Sequence, residues 1–190
     1  MARPRSEDKR DAILTAASEL VATQGLGAAT AKIAKQAGVA EGTLFIYFAN
    51  KDDLLNQLYL EIKADLRAAM MADYPADRSL ARRSRHVWDR YIDWAGAFPS
   101  KRKAMVQLAV SDRVTDASKE IGRHSFREIE ALLQESFAAG ALKDQPMAFG
   151  AAIMEALADT AMGFIAREPD RAAHYKQIGF EAFWRAISPG

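Results

Sequence analysis

The chain has 190 residues, 49% of them hydrophobic and 27% charged, with a formal net charge of +1. That is enough apolar material for a real core in one domain or two, and no apolar run approaches the roughly 20 residues that a membrane span needs. Cysteine is absent, so disulfides and thiolate metal sites are excluded, and the charged start Met1-Ala2-Arg3-Pro4-Arg5-Ser6 does not read as a signal peptide, which makes a cytoplasmic location the expectation.

Nearly every segment then carries helical periodicity. Ser6 can cap a first helix to about Gln24, with Ile13, Ala16, Ala17, Leu20 and Val21 at three- and four-residue spacing. Gly25 suits a left-handed C-cap. A second helix is expected from Ala29 or Thr30 to Gly38, and a third from Glu41 to Phe48. Asn50 can cap a fourth, with Asp53 three residues later as a weak capping box. Its apolar face of Leu54, Leu55, Leu58, Tyr59, Ile62 and Leu66 leads towards Met71. Tyr74-Pro75-Ala76-Asp77 breaks the pattern and separates a domain over 7–67 from one over 75–190.

Five further helices are predicted, over 79–97, 101–114, 116–139 (closed by Gly140), from Pro146 to Arg167, and a last one ending near Ile187. No strand-period segment, repeat or low-complexity tract interrupts them. The expected fold class is all-α: an N-terminal three-helix helix-turn-helix domain, linked by a long helix to a C-terminal helical domain, about nine helices in all.

The segment over 30–49 carries the most chemistry. Ile33, Ala34, Ala37, Val39, Leu44 and Phe48 supply an inner apolar face, Gly38 the turn, and Lys35, Thr43 and Tyr47 an outer polar face. A helix-turn-helix needs this layout, because its short second helix is propped by the first while its outer residues enter a DNA major groove. Charge adds little: residues 1–51 carry seven Lys/Arg against five acids, and the rest carry 19 against 20.

The run Ile13-Leu14, Ala16-Ala17, Leu20, Gly25, Ile33-Ala34, Ala37-Gly38-Val39, Gly42-Thr43-Leu44, Tyr47-Phe48, Lys51 and Leu54-Leu55 resembles the N-terminal domain of the tetracycline-repressor (TetR) family of bacterial regulators. The resemblance implies a homodimer that binds a palindromic operator in double-stranded DNA, usually as a repressor, and leaves it when a small-molecule effector enters the C-terminal domain. It also implies DNA contacts at Thr30, Lys32, Gly42, Thr43, Phe45, Tyr47 and Lys51. Gly42 and Thr43 open the recognition helix, where free amides suit a phosphate. Tyr47 suits a phosphate or a thymine methyl, and Lys51 the sugar-phosphate backbone. Four positions depart from the family pattern: Glu41 stands where a base is common, Phe45 where a tyrosine is usual, Lys32 where an acid is frequent, and Ala29 where a threonine caps the helix. The last departure, with Thr30 one place later, suggests a helix that starts one residue late.

In the C-terminal part, Trp88, Tyr91, Trp94, Phe98, Met105, Leu108 and Phe137 could line a cavity for a largely apolar ligand, with His124, Gln107 and Arg123 as polar anchors; the same spacing describes a plain core. Phe149, Ile153, Ala156, Leu157, Phe164, Phe180, Phe183 and Trp184 are the candidate dimer interface, as a four-helix contact between two copies. Arg82-Arg83-Ser84-Arg85 and Lys101-Arg102-Lys103 read as solvated faces, and Arg3, Arg5, Lys9 and Arg10 as additional phosphate contacts. His86, His124 and His174 lie far apart, with no Glu-x-x-His, His-Glu-x-x-His, Gly-x-Ser-x-Gly or phosphate-loop pattern, so neither catalysis nor a metal or cofactor is expected. A helical DNA-binding protein with no effector, acting architecturally or through a protein partner, is the alternative.

Overall fold

A computed structural model describes residues 5–138 and 140–187, the first two by their backbone alone. The side chains of Arg3, Arg5 and Ser6 and the expected helix end at Ala139 lie outside the described residues. Among those described are no strand, one 3-10 turn at Pro169–Arg171 and ten α-helices: α1 (Arg5–Gln24), α2 (Thr30–Gln36), α3 (Glu41–Tyr47), α4 (Lys51–Met71), α5 (Leu80–Ala97), α6 (Pro99–Ala109), α7 (Asp116–His124), α8 (Arg127–Phe137), α9 (Met147–Arg167) and α10 (Ala172–Ile187).

Two expected helices differ, each for a local reason. The helix expected over 116–139 is two helices, broken at Ser125-Phe126. There the Ser125 hydroxyl donates to the Gly122 carbonyl at 2.7 Å, offering the backbone an alternative to the helical ladder. The helix expected over 101–114 starts earlier, with Pro99 at its first turn, where a missing N–H costs nothing. It also ends earlier, because the Ser111 hydroxyl accepts from the Arg113 amide at 3.0 Å and closes a turn.

Packing divides the chain into two compact units, and the division falls inside α4 instead of at Tyr74–Asp77. Among the described residues, one unit holds those up to Asp65 together with Phe98–Ser125; the other holds Leu66–Ala97 together with those from Phe126 on. In the first, α1 packs on α6, α2 and α3, around fully buried Ile13, Ile33, Leu44, Leu54, Leu58 and Leu108. In the second, α5 packs on α8, α9 and α10. Trp88, 1% exposed, is stacked on Phe183 with ring centroids 6.0 Å apart and donates its indole N–H to the Lys176 carbonyl at 2.9 Å.

By length and composition α9 is apolar enough to cross a membrane, although Glu155 and Asp159 interrupt its apolar run. Only 17% of its most apolar stretch is buried, so the helix presents a largely uncovered apolar surface.

Candidate nucleic-acid interface

The turn between α2 and α3 is built by one glycine. Gly38 has φ +71°; its amide donates to the Lys35 carbonyl at 3.1 Å, and the Val39 amide to the Ala34 carbonyl at 3.0 Å. That pair of bonds is a Schellman closure, which requires a left-handed residue between helix and exit. Gly25, with φ +77°, ends α1 in the same backbone region. The two glycines set the angles at which α2 leaves α1 and α3 leaves α2.

α2 begins at Thr30 after Ala29, which makes no side-chain cap. Ala29 still holds the N-cap position, so the start is not delayed. The Thr30 hydroxyl instead donates to the Glu41 carboxylate at 2.6 Å, joining the first residue of α2 to the first residue of α3. That bond engages Glu41, whose charge would otherwise face an incoming phosphate, and it engages Thr30 as well. Gln36 donates to Glu19 and Lys32 to the Gln24 side chain at 3.2 Å, so α2 is tied back to α1 on both sides.

Leu44 and Phe48 point inward and are buried. Between them the outer face of α3 is open: Gly42 is exposed, Thr43 and Tyr47 are half-buried, Phe45 is 44% exposed and Ile46 79%. Ile46 was absent from the candidate contacts. It lies two residues from both Leu44 and Phe48, about 200° around the helix, so an apolar residue out of register with the inner face was the signal that could have found it. A Cβ placed on Gly42 meets nothing within 4 Å, so this surface is open to close approach.

Asn50 caps α4: its side-chain carbonyl accepts from the Asp53 amide at 2.9 Å, while Asp53 accepts from the Ala49 amide at 2.8 Å. Lys51 follows the cap, half-buried. Burial lowers the pKa of its ammonium, the nearby Arg113 charge lowers it further, and Asp52 opposes both. Such an ammonium gains from an anionic neighbour. Arg113 pairs with Asp52 at 2.6 Å and donates to the Leu26 carbonyl at 3.3 Å. Asn56 donates to the Arg113 carbonyl at 2.9 Å and accepts from the Thr115 amide at 2.9 Å. The loop after α6 therefore straps the α1–α2 turn to the start of α4.

All seven candidate DNA contacts thus fall in one unit, with Lys32, Gly42, Thr43, Phe45, Tyr47 and Lys51 at its surface and Thr30 bonded to Glu41. The candidate ligand residues divide. Trp88, Tyr91, Trp94 and Phe137 are buried in the second unit, and a Cβ on Gly150 would collide with the Phe137 ring, so this part is filled core. Phe98, Met105, Leu108 and His124 belong to the first unit, with Leu108 fully buried and Phe98 and His124 exposed. Of the candidate dimer residues, Phe180 and Phe183 are buried against Trp88 within the protomer, and Trp184 is half-buried on Phe180. Phe149, Ala156 and Phe164 are exposed, with Ile153 and Leu157 half-buried.

Residues 13–58 match the family model for bacterial regulatory proteins of the tetR family. An uncharacterized HTH-type transcriptional regulator of Haemophilus influenzae is 32% identical over 87 residues, covering 45% of this chain and 46% of that protein; the chain therefore spans under half the length of this curated relative. A crystal structure ascribed to the tetR family of transcription regulators, from Shewanella sp. PV-4, is 30% identical, with a TM-score of 0.82 over 96% of this chain and 99% of that one. FadR from Bacillus subtilis, solved in complex with stearoyl-CoA, shares the fold at 18% identity, with a TM-score of 0.68 over 93% and 98% of the two chains.

Proposed function

The chain belongs to the TetR family of bacterial regulatory proteins and is a DNA-binding transcription regulator, and we propose that it works as a homodimeric repressor released from a palindromic operator by a small, largely apolar ligand. The observation that carries this reading is the open outer face of α3, with Gly42, Thr43, Ile46 and Tyr47 standing clear of a buried Leu44 and Phe48. Thr43, Tyr47 and Lys51 position the phosphodiester backbone. Phe45 and Ile46 offer apolar contact to thymine methyls, the one apolar feature of the major-groove edge.

A second copy covers α9. Phe149, Ala156 and Phe164 are exposed along it, with Ile153 and Leu157 beside them, and two such faces meet as an isologous contact. Pairing the protomers gives two recognition helices for two half-sites. Residues 7–67 then act as the DNA-binding domain, and the chain over 75–190, whose α6 and α7 pack in the first unit, carries effector binding and dimerisation. The effector rests on family habit and on the FadR fold, whose solved complex holds stearoyl-CoA. A regulator without an effector draws support from the filled core around Trp88 and Phe137, and a screen for ligands that release the DNA separates the two readings.

Selection from random duplexes by the purified protein tests the proposal. The expected product is a two-fold symmetric site whose half-site centres lie about one helical turn, roughly 34–36 Å, apart. An enriched site without symmetry, or no enrichment, contradicts it.

A further inference from the structure

The arginine run singled out in the sequence is not one solvated face. Arg83 is held by both Glu135 carboxylate oxygens at 2.9 Å, whereas its neighbours line an open groove of about 710 Å³ within the second unit. Its walls are Pro75, Arg78, Ala81, Arg82, Arg85, His86, Asp89 and Phe180. Three guanidiniums thus face one carboxylate. Asp89 engages only the Nε of Arg85, at 2.7 Å, and Asp77 lies 3.7 Å from Arg78. Arg82 is exposed and makes no ion pair among the described residues.

Two further features point to a bound molecule. The Nε2 of His86 is buried without a hydrogen-bond partner on the wall that carries the arginines, and a buried polar atom in such a place wants a partner. The Oδ1 of Asp89, one turn on, is also without one; as a carboxylate acceptor it calls for a donor such as a neighbouring guanidinium and not for the anion. The Arg85 guanidinium also lies 5.3 Å from the centre of the Phe180 ring, so cationic and aromatic surface adjoin.

We propose that this groove is a binding site for a small organic anion, a carboxylate or phosphate ester with an apolar or aromatic body. Its charged end is taken by Arg78, Arg82 and Arg85, its body lies against Pro75, Ala81 and the edge of Phe180 that lines the groove, and His86 Nε2–H donates to one of its oxygens. Arginine forks suit this chemistry, since they match carboxylate and phosphate oxygens in pairs. The site is separate from the DNA-binding face and does not depend on operator binding.

The test is an NMR titration of the full chain, following the His86 imidazole and Phe180 ring resonances with phenyl phosphate, benzoate, inorganic phosphate and benzyl alcohol as probes. Phenyl phosphate or benzoate is expected to shift both resonances saturably and to bind at least about tenfold more tightly than benzyl alcohol. Whichever of the two binds more tightly identifies the preferred head group. Replacing the exposed pair Arg78→Gln and Arg82→Gln should weaken the anion by about tenfold or more while the melting temperature stays in place. His86→Phe, which keeps an aromatic edge against Tyr74, should weaken it with the arginines intact. Equal binding of benzyl alcohol, native affinity in the double arginine variant, or inorganic phosphate binding as tightly as either organic anion would overturn the proposal.

Discussion

Two glycines one helical turn apart in sequence, Gly38 and Gly42, give opposite expectations for one substitution. At Gly38 the backbone is left-handed, φ +71°, and an added Cβ meets nothing within 4 Å. Gly38→Ala therefore isolates the backbone penalty, about 1–2 kcal/mol for an L-residue in that region. At Gly42 the residue is helical and the space is equally open, so Gly42→Ala gains helix propensity, up to about 0.8–1 kcal/mol and less near a helix end. The two variants should differ by about 2 kcal/mol, or roughly 4–8 °C in melting temperature at about 2–4 °C per kcal/mol for a chain of this size. Circular dichroism melts read the stability, and a gel shift on operator DNA reads the function. Gly42→Ala should be the more stable protein and the weaker binder, because its methyl stands where a phosphate approaches. A Gly38→Ala protein as stable as the native one would refute the Schellman turn as the element that sets α3. A Gly42→Ala protein with native affinity would move the phosphate elsewhere.

Other expectations follow from single contacts. Burial raises the Tyr59 phenol above its ordinary value, with Arg123 opposing; the neutral form is favoured in the folded state, so this contribution is whole below about pH 10 and is lost as pH rises through the folded value. Urea melts at rising alkaline pH should show Tyr59→Phe losing less stability than the native chain, and parallel losses would contradict the assignment. Arg113→Ala removes an exposed pair with Asp52 worth about 1 kcal/mol or less but unfastens the strap between Leu26 and α4. Operator affinity measured by anisotropy should therefore fall more than a melt does, and an unchanged affinity would count against the strap. Phe149 is 52% exposed; covering that half of the ring gains about 0.8–1.5 kcal/mol per protomer, counted twice in an isologous dimer. Phe149→Asp should weaken self-association by at least about ten- to a hundredfold in sedimentation experiments, and an unaltered association would place the interface off this face.

The helix-turn-helix was legible because its determinants are local. The Schellman glycine, the inner residues at helical spacing and the Asn50 cap each act within a few positions of sequence. What escaped the sequence is tertiary. α6 packs on α1 with Ala104 and Leu108 buried, α7 falls in the same unit, and Arg113 reaches Leu26; no periodicity reports such a partner. Phe180 and Phe149 illustrate the same limit on two helices. Both sit in apolar helical rows, yet Phe180 is covered by Trp88 of its own chain and Phe149 is left half uncovered. The break at Ser125 turns on one hydroxyl choosing a carbonyl, and Ile46 is an apolar side chain that faces outward, against the usual direction of burial.

The most direct test of the DNA-binding account is a gel-shift titration of the purified protein on the DNA flanking its own gene, with random duplex as competitor and a matched Tyr47→Ala protein. The account predicts a complex that unlabelled self-DNA displaces, that random duplex leaves in place, and that Tyr47→Ala weakens without a change in folding. Displacement by both competitors alike, or full binding by Tyr47→Ala, would contradict the assignment of the outer face of α3 as the surface that reads DNA.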